Sequence, residues 1–153
     1  MKKFDEIDRK LLNILQENSR ITIKELSEKL HLSTTPIHER IKKLEKGGYI
    51  IDYTASIDPK KIGKNLIVYI SVMLNKHTKE AIEEFEKQIN KYNEVMECYY
   101  ISGNSDFLLK VYCEDIDDFH NFITNKFSII GNINQFYSSF VLSETKRKRA
   151  FKL

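Results

Sequence analysis

Only two cysteines, two prolines and five glycines occur in 153 residues. Cys98 and Cys113 form no CxxC pair and have no histidine at metal-ligand spacing, which excludes a disulfide scaffold and a zinc box. They read as small buried residues of a reduced cytoplasmic protein. Long apolar runs are missing too. The longest, Leu66 to Leu74, has nine residues and includes Ser71, too few to span a bilayer, so no membrane partner is expected. Met1 to Glu6 lead into an amphipathic, partly acidic helix, so a secretory leader is not expected. His31, His38, His77 and His120 are scattered and read as surface residues, leaving no metal site and no cofactor. No nucleophile-and-base set or phosphate loop is visible, which argues against an enzyme.

What is present is ample apolar material. A 41% hydrophobic share with 8 Tyr and 9 Phe suits packed cores rather than disorder. The net charge of +3 is small, but its placement is informative. Residues 1–62 carry 13 Lys and Arg against 10 Asp and Glu, and residues 63–153 carry 12 against 12. The excess lies in the first part, a mild footprint for a polyanion.

Phe4 to Asn18 places Ile7, Leu11, Ile14 and Leu15 on one helical stripe. Thr22 to Glu25 is a capping box that opens a short second helix ending near His31. A third helix starts at Ser33 to Pro36, tolerates Pro36 in its first turn, and runs to Lys46, where Gly47 and Gly48 stop it. Tyr49 to Ile57 reads as a strand, and Pro59 to Lys64 as a linker. Beyond it come a strand at Leu66–Leu74, a helix at Thr78–Tyr92, strands at Val95–Ser102 and Phe107–Cys113, a helix at Asp115–Phe127 and a strand at Ile133–Ser143. The expected fold is α+β: a winged helix-turn-helix over residues 1–58, a linker at 59–64, and a ferredoxin-like βαββαβ sandwich over 65–153.

Two regions carry function in this reading. The third helix presents Ser33, Thr34, Thr35, Pro36, His38, Arg40, Lys42 and Lys43, a set suited to double-stranded DNA. Hydroxyls and His38 can reach base edges, while Arg40, Lys42 and Lys43 can neutralise phosphates. The alternative is a trihelical core with an ordinary charged surface. The second region is the turn from Ser102 through Gly103, Asn104 and Ser105 to Asp106. Its amides and the Asp106 carboxylate could hold a zwitterionic small-molecule effector, with Ser138 and Ser139 adding hydroxyls; a plain hairpin loop is the competing reading. The strand at Leu66–Leu74 is apolar on both faces, so a second copy is expected to cover one of them and form a homodimer. Glu80, Glu83, Glu84 and Glu86 read as a solvated helix face. Lys146 to Arg149 read as a solvated terminus, with DNA contact as the alternative.

These residues resemble the Lrp/AsnC, or feast/famine, family over essentially the whole chain. Ile7 to Gln16 resembles its first helix, and Leu32 to Pro36 with Glu39 to Glu45 resembles its recognition helix. Gly48 to Ile50 and Tyr53 to Ala55 resemble the approach to the linker; Glu97, Cys98 and Ser102 to Lys110 resemble the effector core. Thr34 and His38 depart from the pattern and bear on operator preference. The resemblance implies a transcriptional regulator whose assembly and DNA affinity respond to an amino acid or related metabolite. It further implies dimers that can assemble into octamers, with the effector bound near the Gly103 to Asp106 loop. A non-sensing architectural DNA protein is the second possibility. A tetrapyrrole decarboxylase of similar fold is the third, and the basic recognition helix argues against it.

Overall fold

The computed structural model describes residues 4–148 and 150–153. Two compact units form: residues 1–56 with 145–153, and residues 57–144. Among the described residues no helix is long and apolar enough to cross a membrane.

The first unit contains three helices, α1 (Glu6–Glu17), α2 (Ile23–Leu30) and α3 (Thr34–Lys46). Their starts follow from capping chemistry. Asp5 accepts from the Asp8 amide at 2.9 Å while Asp8 accepts from the Asp5 amide at 3.3 Å. Thr22 and Glu25 form the expected box at the head of α2. The bend between α2 and α3 turns on His31, left-handed at φ 53°. Ser27 closes that bend: its carbonyl accepts from the Leu32 amide and its hydroxyl donates to the Leu32 carbonyl. Gly48 at φ 71° ends α3, as a left-handed residue should. Leu11, Leu12, Leu15, Leu26, Ile37 and Leu44 form the buried core.

The expected strand at Tyr49–Ile57 is not formed; the described backbone there pairs with no other segment. A strand needs a laddered neighbour, and this unit offers none. Asp52 instead binds locally, taking the Tyr53 amide at 2.7 Å and the Thr54 hydroxyl at 2.6 Å. The expected linker is a capped 3-10 turn, Pro59–Ile62, with Asp58 accepting from the Lys60 amide at 3.0 Å.

The second unit is a four-stranded antiparallel sheet of β1 (Leu66–Leu74), β2 (Val95–Tyr100), β3 (Phe107–Cys113) and β4 (Ile133–Phe140), in the order β2-β3-β1-β4. Helix α4 (Lys79–Ile89) joins β1 to β2, and α5 (Ile116–Phe122) joins β3 to β4. This is the expected ferredoxin-like sandwich. Val68, Ile70, Val72 and Leu74 pack with Phe85, Ile89, Phe119, Phe122 and Phe127, so both helices cover one sheet face. Helix α5 is shorter than expected. It passes into a π turn, Ile123–Phe127, which the Ser128 amide and hydroxyl close on the Ile123 carbonyl at 2.9 and 2.6 Å.

The described residues of 145–153, read in sequence with the sandwich, make their contacts with the helical unit. Gln16 on α1 clamps the backbone of Phe151, donating to its carbonyl at 3.2 Å and accepting from its amide at 2.8 Å. Asn13 does the same for Leu153 at 3.4 and 3.2 Å.

Candidate nucleic-acid interface and effector loop

Helix α3 divides its charged residues between two faces. Thr34, His38 and Lys42 are spaced four apart and exposed, with Ser33 and Thr35 exposed beside them. Ser33 makes no side-chain capping bond, so its hydroxyl stays available at the helix start. Pro36 is half-buried in the first turn.

Arg40 and Lys43, expected among the phosphate contacts, turn toward α1. Arg40 Nη1 lies 2.7 Å from Asp5 Oδ2 and 2.6 Å from Asp8 Oδ1, and Lys43 Nζ lies 2.9 Å from Asp8 Oδ2. Asp8 is fully buried, the one buried charged residue among those described. Burial pushes its carboxyl up, but the hydrogen bonds from Lys43 and Arg40 outweigh burial and hold it below the usual carboxylate range. The Asp8 amide and then Arg40 lower Asp5 likewise, and these two carboxylates raise Arg40. Sequence reasoning missed this brace. Its one local signal was an acidic residue three and four positions before Leu11 and Leu12, on the apolar stripe of α1.

The turn between β2 and β3 is more than a hairpin. Ser102, Gly103 and Asn104 are exposed, Ser105 and Asp106 half-buried, and Gly103 takes φ 126°, which disfavours any side chain. The Asp106 amide donates to the Val72 carbonyl at 2.8 Å, and Asp106 Oδ2 accepts from the Leu74 amide at 2.7 Å. His77 Nε2 lies 3.0 Å from the same oxygen. Oδ1 has no hydrogen bond among the described residues. Asn132, left-handed at φ 70°, fixes the segment before His77 by accepting from the Lys76 amide and donating to its carbonyl, at 2.8 and 2.9 Å. His77 was read as an ordinary surface residue. The signal for it is topological, since the antiparallel β1–β3 pairing brings the end of β1 to the start of β3.

Ser138 and Ser139 do not join this group. Ser138 pairs with Ile70 and Ser139 with Tyr69, so their side chains leave opposite faces of the sheet. Ser138 also lies opposite a point four residues before Leu74, roughly 13 Å along the strand at about 3.3 Å per residue.

The sheet face away from the helices carries Tyr69, Leu108, Lys110, Tyr112, Tyr99 and Tyr137. Lys110 Nζ sits 5.9 and 5.6 Å from the Tyr69 and Tyr112 ring centres and 3.1 Å from Glu97. Burial raises both the Cys98 and Cys113 thiols to about 11, which keeps them protonated at neutral pH.

Comparison with known proteins agrees with both halves. Residues 4–51 match the family model for winged helix-turn-helix DNA-binding, and residues 67–151 that for the Lrp/AsnC ligand binding domain. The leucine-responsive regulatory protein of Escherichia coli is 34% identical over 95% of this chain and 89% of its own. A Neisseria meningitidis transcriptional regulator, solved in complex with L-methionine, is 34% identical with a TM-score of 0.92, covering 97% of this chain and 96% of that one. An Agrobacterium tumefaciens AsnC family regulator is 34% identical at TM-score 0.90, over 96% of this chain and 95% of its own. A helix-turn-helix with an exposed polar stripe, followed by a four-stranded ligand-binding sandwich and matched along its length by such proteins, places the chain in the Lrp/AsnC family of DNA-binding transcriptional regulators, not among enzymes.

Proposed function

We propose that Ser33, Thr34, Thr35, His38 and Lys42 face the major groove, and that the loop from Ser102 to Asp106 captures a free amino acid that tunes DNA affinity. Arg40 and Lys43 act as braces that fix the recognition helix on α1. In this reading, loop amides take the effector carboxylate and Asp106 takes its ammonium. The observation that carries it is Asp106 itself. Its Oδ2 is fixed by Leu74 and His77 while Oδ1 is left to accept, on a side chain 21% exposed. The L-methionine complex of the Neisseria relative supports the ligand class. A second copy of this chain is the proposed cover for the tyrosine-rich sheet face, where Tyr99 and Tyr137 are 50% and 57% exposed.

A thermal-shift screen of the twenty amino acids and common keto acids tests the effector reading. A native-state ligand at 100 times its Kd stabilises by about 2.7 kcal/mol. The expected result is one or more hits that vanish in Asp106→Asn, which keeps an acceptor for the Leu74 amide but removes the charge. A screen with no hit would overturn sensing and favour a ligand-independent architectural protein. A hit that survives Asp106→Asn would move the site elsewhere.

A further inference from the structure

The residues 145–153 carry Lys146, Arg147, Lys148, Arg149 and Lys152 and no acidic residue. Lys2, Lys3 and Arg149 lie outside the described residues, and their charges are counted from sequence alone. Their placement changes the electrostatics of the chain. Residues 1–56 alone hold 11 Lys and Arg against 9 Asp and Glu, a surplus of two. With 145–153 folded onto them, the compact unit holds 16 against 9, a surplus of seven. Residues 57–144 hold 9 against 13, a deficit of four. Five of the seven surplus positive charges of the DNA-reading unit therefore come from a segment nearly a hundred residues away in sequence from α3.

The attachment is specific in form. Asn13 and Gln16 stand one turn apart on α1, and each carboxamide both donates to and accepts from one backbone residue of the segment. The two residues held, Phe151 and Leu153, alternate as in an extended strand, which leaves Lys152 between two anchored points. Backbone clamping leaves the cationic side chains exposed: Lys146, Lys148 and Lys152 all face solvent.

We infer that residues 145–153 form a second DNA-binding element, docked on α1 through Asn13 and Gln16, that grips the phosphate backbone of double-stranded DNA independently of base sequence. Charge complementarity names the partner. A cluster of cations without acids, on the unit that reads DNA, meets a duplex carrying one negative charge per about 1.7 Å of axis. Every phosphate neutralised releases condensed counterions, so the element deepens the salt dependence of binding rather than its sequence preference. The inference rests on the proposed DNA-binding role of α3, and the test separates the two.

The test uses the full chain and a fluorescein-labelled duplex of mixed sequence, with anisotropy titrations across a salt series and the mass of each variant from light scattering. Failure of the unsubstituted protein to bind any duplex would overturn the DNA reading as a whole. Given that it binds, Lys146→Gln/Lys148→Gln/Lys152→Gln should lower the slope of log K against log salt by about 0.9 for each phosphate no longer neutralised, up to about 2.7 in all, at unchanged mass. A slope equal to that of the unsubstituted protein would overturn the inference. So would a fall in mass accompanying the lower slope, because it would assign the segment to assembly. Asn13→Ala/Gln16→Ala keeps every cation and removes the clamp; a reduced slope is expected, and an unchanged one would overturn docking as part of the mechanism.

Discussion

The two units close their cores by different means. The sandwich buries fourteen side chains between sheet and helices, including Phe85, Phe107, Phe119, Phe122 and Phe127, with no buried charge among its described residues. The helical unit buries six and adds Asp8, a carboxylate shielded from water between Arg40 and Lys43. A small core excludes less apolar surface from water, so it leans on a polar brace whose worth depends on every partner being present. In the helical unit, Asp5, Asp8, Glu25 and Asp52 are all held below the ordinary carboxylate range, chiefly by hydrogen bonds.

The largest break in this contrast should come from Asp8→Ala. Removing one partner of a buried pair costs about 3–5 kcal/mol. The expected loss is roughly 3, the low end, because Arg40 keeps Asp5 and Lys43 can turn to water. Urea melts followed by near-ultraviolet dichroism should show the helical unit unfolding early while the sandwich holds. A single unshifted transition would mean that the brace contributes nothing.

Acid should reproduce that ordering without mutation. A carboxyl whose folded pKa is depressed stabilises the fold at pH above its unfolded value, and the contribution is lost as pH falls through the folded value. With an ordinary value of 3.8 for Asp8 and Asp5, stability should hold down to about pH 4 and then decline in the helical unit first. Backbone amide exchange resolved by residue checks the order; loss of protection in β1 or β3 before α1 and α3 would contradict it.

The smallest effect on folding separates the two faces of α3. Lys42→Ala should leave stability within about 0.5 kcal/mol, as exposed surface substitutions do, yet reduce the salt slope of DNA binding by about 0.9. A lowered melting temperature with an unaltered slope would assign Lys42 to the brace instead of the groove.

Much of this was legible because it is local. The Thr22–Glu25 box, the stop at Gly47 and Gly48, and the alternating burial of β1 each lie within one helical turn or one strand, where period and cap chemistry decide. The pairs that escaped are long in sequence and invisible to periodicity. Arg40 meets Asp8 across 32 positions, His77 meets Asp106 across 29, and Phe151 meets Gln16 across 135. Helical spacing placed Arg40 on α3 but gave no means of choosing between water and a carboxylate on another helix. Tyr49–Ile57 failed for the opposite reason: its apolar alternation suits a strand, but strand formation is a property of two segments. Ser138 and Ser139 were grouped as neighbours in sequence, and the pleat itself parts them.

The clamp on α1 also sets an order of assembly during synthesis. Chains emerge from the ribosome N-terminal end first, and domains generally fold as units as they appear. Residues 1–56 can gather their three helices early, and residues 57–144 can then complete the sandwich. The segment that Asn13 and Gln16 hold emerges after both. A translation product cut off at Glu144 would contain both cores yet display only the weaker positive field. If residues 145–153 grip DNA as inferred, that added attraction is deferred until the sandwich has been made, and a nascent chain holds DNA more weakly than the finished one.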